Sequence, residues 1–141
     1  MSVLALVALV LLVAAGCAIP PPPQGTLLYY SDMDGKPYSV KYDERSFQFN
    51  GKRSLLLGGS VHYPRVVEDE WATIFSKMRE DGLNMIQTYL FWNIHEPVRG
   101  QEYDMAGNKN WTRFVELAGK AGLFVTLRVG PFVAAEWDYG G

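Results

Sequence analysis

One cysteine, Cys17, is all that the 141 residues offer. A lone thiol closes no disulfide and builds no cysteine-rich metal site, and a chain cut after Ala18 would keep no thiol at all, so packing must hold it together. Excess positive charge is missing too. With 13 Lys and Arg against 15 Asp and Glu, the net charge is -2 and no basic stripe exists for a phosphate backbone, which makes nucleic acid a poor partner. No apolar run reaches the ~20 residues of a relaxed membrane span. Several catalytic signatures are also absent. Ser60 is not in a G-x-S-x-G elbow, no H-x-H or H-E-x-x-H pattern occurs, and Gly58-Gly59-Ser60 lacks both the spacing of a dinucleotide loop and a following helix start. No cofactor is implied.

What is present is the composition of an ordinary globular domain, with 48% hydrophobic and 20% charged residues, enough for one core. Aromatic rings make up 13% of the chain, an excess that suits either a packed core or the apolar platforms on which sugar faces stack. Val3 to Ala15 is an unbroken apolar run followed by small residues, so residues 1–18 read as a secretory signal peptide. A short anchor and, in a bacterium, lipidation of Cys17 are the alternatives. Cleavage after Ala18 would leave no membrane attachment and direct the protein outside the cell or into the lumen of a lysosome or vacuole. Pro20 to Pro23 cannot enter a helix, and residues 19–37 read as a proline-rich linker and extended N-terminus.

From Tyr38 the pattern becomes strand-like. Tyr38, Val40 and Tyr42 alternate, as do Phe47 and Phe49, and Asn50-Gly51 before Leu55-Leu56-Leu57 predicts a β-hairpin. Two units then repeat at a spacing of 40 residues. Trp71, Ile74, Phe75 and Met78 mark one helical face, ended by Gly82 and followed by the apolar run from Met85 to Leu90. Trp111, Phe114, Val115 and Ala118 mark another, ended by Gly122 and followed by Phe124 to Val129. Helices alternating with near-continuous apolar strands predict a parallel α/β sheet, and we read residues 38–141 as the first three or so βα units of a (β/α)8 TIM barrel, with a doubly wound open sheet as the alternative. A whole barrel takes ~250 residues. Alone, such a piece would leave sheet edges open and is expected to aggregate.

Sites in such barrels lie beyond the carboxyl ends of the strands, here after Leu57, Leu90 and Val129. Those stretches mix aromatics with amides, carboxylates, Gly and Pro, the mixture a neutral polyol needs. His62, His95, Glu96 and Glu136 are metal-ligand types on these loops, but their spacing fits hydrogen-bonded pocket walls better than zinc, so no metal is assigned.

In these same stretches the chain resembles the β-galactosidases of glycoside hydrolase family 35. The resemblance rests on Leu57-Gly58-Gly59-Ser60-Val61-His62-Tyr63-Pro64-Arg65, on Ile86 to Asn93 with His95-Glu96-Pro97, and on Leu127 to Pro131 with Ala135-Glu136-Trp137 and Gly140-Gly141. It runs from about Tyr42 to the last residue. It implies a retaining exo-hydrolase that removes terminal β-linked galactose with two glutamates ~5 Å apart, and a galactose-terminated carbohydrate as partner. The family carries its acid/base in an Asn-Glu-Tyr motif absent here, so the resemblance places both catalytic glutamates beyond Gly141 and leaves none in this chain. It implies sugar-binding roles for Tyr89, Glu136 and, through its backbone, Ala135. Ala134 stands where the family commonly has cysteine.

Each residue also has a plainer reading. Glu136 could pair with Arg128, Tyr89 could be core, and Glu96 could fix its loop while remaining a candidate site residue. His62, Tyr63 and Arg65 look architectural, Trp71 and Trp111 look like core, and Trp92 and Trp137 are ambiguous. Asn110-Trp111-Thr112 is a glycosylation sequon at a helix start. A non-catalytic galactose-binding or inactive fragment is the alternative function, and a barrel hydrolase with another sugar preference a third.

Overall fold

The computed structural model describes residues 27–140, so the expected signal peptide and proline run lie outside the described residues. Residues 27–37 are not an extended tail. A 3-10 turn at Tyr30–Met33 buries Met33, and Tyr30 packs edge-on against Phe124 at 5.9 Å. The turn is held because the Tyr30 N–H donates to the Gly122 carbonyl at 2.9 Å.

The expected hairpin is a three-stranded antiparallel meander of β1 (Val40–Tyr42), β2 (Phe47–Phe49) and β3 (Lys52–Ser54). Asn50 and Gly51 form its second turn, with φ of 51° and 79°, left-handed values that Asn and Gly adopt at least cost. The strand after that turn is therefore Lys52–Ser54, and Leu55 to Leu57 lie beyond it, a correction to the apolar run expected there. The first parallel strand is displaced accordingly and falls on β4 (Gly58–Ser60).

The second sheet is parallel and runs in chain order, β4, then β5 (Met85–Tyr89), then β6 (Phe124–Arg128). Helix α1 (Trp71–Glu80) joins β4 to β5, a short helical turn α2 (Trp92–His95) follows β5, and α3 (Trp111–Lys120) leads into β6. These are the two repeated units read from the sequence. Both long helices cover one face of the sheet. Phe114 of α3 meets Trp71 at 5.2 Å and Phe75 at 5.0 Å, both from α1, over the buried Ile86 of β5. Each fully buried ring of this kind contributes about 2–3 kcal/mol of apolar burial. Trp111 is only partly buried at the margin of this core. Its neighbour Asn110 caps α3, the side-chain oxygen accepting the Arg113 N–H at 3.0 Å.

Register fixes what lines the opposite face. Gly58, Met85 and Phe124 share one level, Ser60, Gln87 and Thr126 the next, and Tyr89 and Arg128 the last. Side-chain contacts follow those levels, with Ser60 Oγ 2.7 Å from Gln87 Oε1 and the Arg128 guanidinium 4.2 Å from the centre of the Tyr89 ring. One polar residue, Asn84, is fully buried at the amino end of β5. Its Oδ1 accepts the Leu57 N–H at 2.7 Å, and its Nδ2 donates to the carbonyls of Leu28 and Leu55, each at 2.8 Å. A single side chain thus ties the N-terminal segment, the meander and the parallel sheet together. Among the described residues, no helix is long and apolar enough to cross a membrane.

Candidate functional site

Three loops leave the carboxyl ends of β4, β5 and β6 and lock onto one another. Arg65, on the first, donates through one guanidinium nitrogen to the carbonyls of Ala135 at 2.5 Å and Glu136 at 3.1 Å on the third. From the second loop, the indole N–H of Trp92 donates to the Val129 carbonyl at 2.6 Å. Asn93 accepts the Trp137 indole N–H at 2.7 Å and donates to the Asp138 carbonyl at 3.2 Å. The two ambiguous tryptophans therefore use their polar edges to hold loops. Trp92 stays partly exposed, while Trp137 packs on Phe91 at 4.6 Å and under the Arg65 cation at 5.0 Å.

Beneath the loops runs a buried relay. The His95 Nδ1 lies 2.8 Å from the Asp104 carbonyl, which can only accept, so that nitrogen carries the proton. Nε2 is left to accept the Tyr63 hydroxyl at 2.7 Å, and the same hydroxyl accepts the Phe91 N–H at 3.1 Å. Burial pushes the Tyr63 phenol up to about 12, against a smaller opposing pull from the Phe91 N–H. His62 Nδ1 accepts from Arg65 at 2.9 Å. Burial, and then the Arg65 charge, hold His62 below its ordinary value of 6.5. Both nitrogens of His95 and the Nδ1 of His62 are engaged, and among the described residues no group of three or more His, Cys, Asp or Glu side chains gathers as a metal site.

The residues singled out in the sequence fall as follows. Tyr89 ends β5, with its ring buried under Arg128 and beside His62 and Phe91. The residue is only 5% exposed, and its hydroxyl makes no hydrogen bond among the described residues. Ala135 is buried, and Glu136 beside it is exposed with φ of 49°, a left-handed backbone that a non-glycine residue adopts only when its surroundings impose it. Here Arg65 holds both flanking carbonyls. Arg128 does not pair with Glu136, for the ion pairs of the described residues include neither. Glu96 turns back into its own loop, its Oε1 accepting the Gly100 N–H at 2.6 Å. Arg65, architectural by its sequence, is the clamp on the third loop, and Arg128, a candidate partner of Glu136, instead covers Tyr89. An arginine at the end of an otherwise apolar strand was the available signal for the second.

A parallel α/β sheet with helices on one face and a loop cluster at the carboxyl ends of its strands defines an α/β protein whose site is built on those loops. The comparisons with known proteins narrow this to one family. A profile of glycosyl hydrolases family 35 matches residues 46–141, and the chain belongs to that family. It is 51% identical over 110 residues to a protein of Arabidopsis thaliana named beta-galactosidase 14, covering 78% of this chain and 12% of that one. It is 50% identical over 103 residues to beta-galactosidase 6 of Oryza sativa subsp. japonica, covering 73% and 12%. To probable beta-galactosidase 2 of Dictyostelium discoideum it is 48% identical over 103 residues, covering 73% and 14%. The chain thus spans about one eighth of the length of the curated relatives it matches.

Proposed function

We propose that these residues are the N-terminal part of a (β/α)8 barrel in a retaining exo-glycoside hydrolase that releases terminal β-D-galactose from glycans or oligosaccharides. In this reading β4, β5 and β6 are the first three barrel strands, and the acid/base and nucleophile glutamates lie outside these residues. The absence of any Asn-Glu pair from the sequence supports that last point. The chain contributes part of the galactose subsite: the Tyr89 hydroxyl, the Ala135 backbone and the Glu136 carboxylate, with Glu96 shaping the adjoining loop. The apolar run from Val3 to Ala15, read as a signal peptide, supports a secreted or endomembrane-lumenal protein.

The observation that carries the reading is a tyrosine at the end of β5 and, on the loop after the neighbouring β6, an exposed carboxylate held by Arg65, in a chain 51% identical over most of its length to a protein named beta-galactosidase. A carboxylate and a phenol are the acceptor and donor that sugar hydroxyls require. The test is hydrolysis of an aryl β-D-galactoside by the full-length protein, with the anomer first released read by NMR. Retention is expected, and Glu136→Gln and Tyr89→Phe should each lower kcat/KM by about ten- to a hundredfold. Galactose binding without hydrolysis of any β-galactoside would replace the enzyme reading with that of a binding protein.

A further inference from the structure

We infer that Arg128 is a positioning residue for the sugar-binding hydroxyl of Tyr89, acting through the ring rather than on the sugar. The inference rests on the proposed subsite. Tyr89 and Arg128 are register partners at the last level of β5 and β6, so their side chains leave the same face of the sheet side by side. The guanidinium carbon lies 4.2 Å from the ring centroid, within the range at which a cation is held by an aromatic face. Nothing else among the described residues claims that charge. No carboxylate among the described residues stands within ion-pair distance of Arg128, and its guanidinium makes no hydrogen bond there. An arginine with no carboxylate to satisfy would ordinarily extend into water, because its long side chain gives up rotamer freedom when fixed. Arg128 is exposed, yet its guanidinium carbon sits over the phenol ring.

The ring is closed on its remaining sides by His62 at 5.8 Å and Phe91 at 6.3 Å, both edge-on. His62 is in turn held by Arg65, and Phe91 by the Tyr63 hydroxyl. Three of the contacts that fix the ring are thus rings or planes, none of which bonds the hydroxyl. The hydroxyl is left free at a fixed place, which is the condition for binding a sugar hydroxyl without first breaking an internal hydrogen bond. Lysine would supply the charge but not the plane that covers the ring.

A double-mutant cycle in the full-length enzyme tests this. Arg128→Gln should raise KM for an aryl β-D-galactoside by about three- to thirtyfold with a smaller change in kcat, since what is lost is binding common to ground and transition states. In a Tyr89→Phe background, where no hydroxyl remains to be aimed, the same change should leave KM unaltered, and Arg128→Lys should restore part of the loss in the Tyr89 enzyme. Arg128→Met, which keeps apolar contact with the ring without the charge, serves if the Gln variant does not fold. Equal effects of Arg128→Gln with and without the Tyr89 hydroxyl, or no effect in either, overturn the inference while leaving the subsite intact. A wild-type protein that hydrolyses no β-galactoside overturns the proposed function and this inference with it.

Discussion

Tyr63 and His95, 32 residues apart in sequence, meet through a 2.7 Å hydrogen bond in a region where both side chains are fully buried. Because His95 Nδ1 is committed to the Asp104 carbonyl and the Tyr63 oxygen also accepts from Phe91, every polar atom of the pair is satisfied. Tyr63→Phe keeps the ring and strands two groups, His95 Nε2 and the Phe91 N–H. Each buried group left unpaired costs about 1–3 kcal/mol, and the loss should appear as a lower denaturant midpoint with an unchanged slope. Since Phe91 adjoins the Tyr89 ring, the variant should also raise KM more than a surface change of equal stability cost.

Asn84 is the second place where one side chain holds distant segments. Asn84→Ala removes three hydrogen bonds and leaves the Leu57 N–H and the carbonyls of Leu28 and Leu55 without their partner. A loss of about 3 kcal/mol or more is expected from unfolding curves. Asn84→Asp should recover little of it, because a carboxylate oxygen would replace the donor that faces two carbonyls. An Asp variant as stable as the parent would disprove this account of the site.

The parts of the fold readable in the sequence were those written in local periodicity. Trp71, Phe75 and Met78, and then Phe114 and Ala118, are buried because helical spacing puts them on one face, and the glycines at 82 and 122 end the helices as expected. β4 was misplaced for an equally physical reason. Gly58 and Gly59 carry no apolar signal, yet they are the strand, since a Cβ on Gly58 would stand 2.5 Å from Met85 Cε and the space is already filled from β5. Asn84 was passed over although it occupies the position that Phe124 fills in the other repeat, and a polar residue at an apolar position was its clue. Loop locking was out of reach. Arg65 and Trp92 bond to backbone carbonyls 71 and 37 residues away, and a carbonyl has no letter in a sequence.

His62 gives a pH dependence of defined sign. Burial first, and the Arg65 charge second, set its folded value below the ordinary 6.5. The neutral ring is therefore favoured in the folded chain, and the stability it supplies is present above pH 6.5 and lost as the pH falls through the lower, folded value. The melting temperature should fall as the pH is taken below 6.5, and His62→Gln should flatten that part of the profile. An identical slope in both proteins would remove His62 as its source.

Gly122 tests the N-terminal turn. Its φ of +81° is a left-handed value, and a Cβ there would lie 2.8 Å from Ser31 Oγ and 3.0 Å from Ser31 Cβ. Gly122→Ala should cost about 1–3 kcal/mol from backbone strain and displacement of Ser31 together. Combining it with Ser31→Gly should recover the steric part alone. Full recovery would show that the backbone angle costs nothing.

The side of the molecule away from the loops carries exposed apolar surface too. A groove of about 1540 Å³ runs between the meander and the α3–β6 unit, lined by Val40, Tyr42, Phe47, Leu55, Phe124 and Val125 among others. Tyr42 is 82% exposed and Leu55 60%, and among the described residues β6 has a strand on only one side. Apolar rings beside an unpaired parallel edge are the features that drive strand-to-strand association when nothing covers them. Residues 19–141 expressed by themselves should therefore self-associate, which light scattering after size exclusion would show. Replacing Tyr42 and Leu55 by Glu should lower the association without touching Tyr89 or Glu136. A monomer with a cooperative melt would mean that this face is adequately closed by the meander, and that the exposed rings are tolerated as they stand.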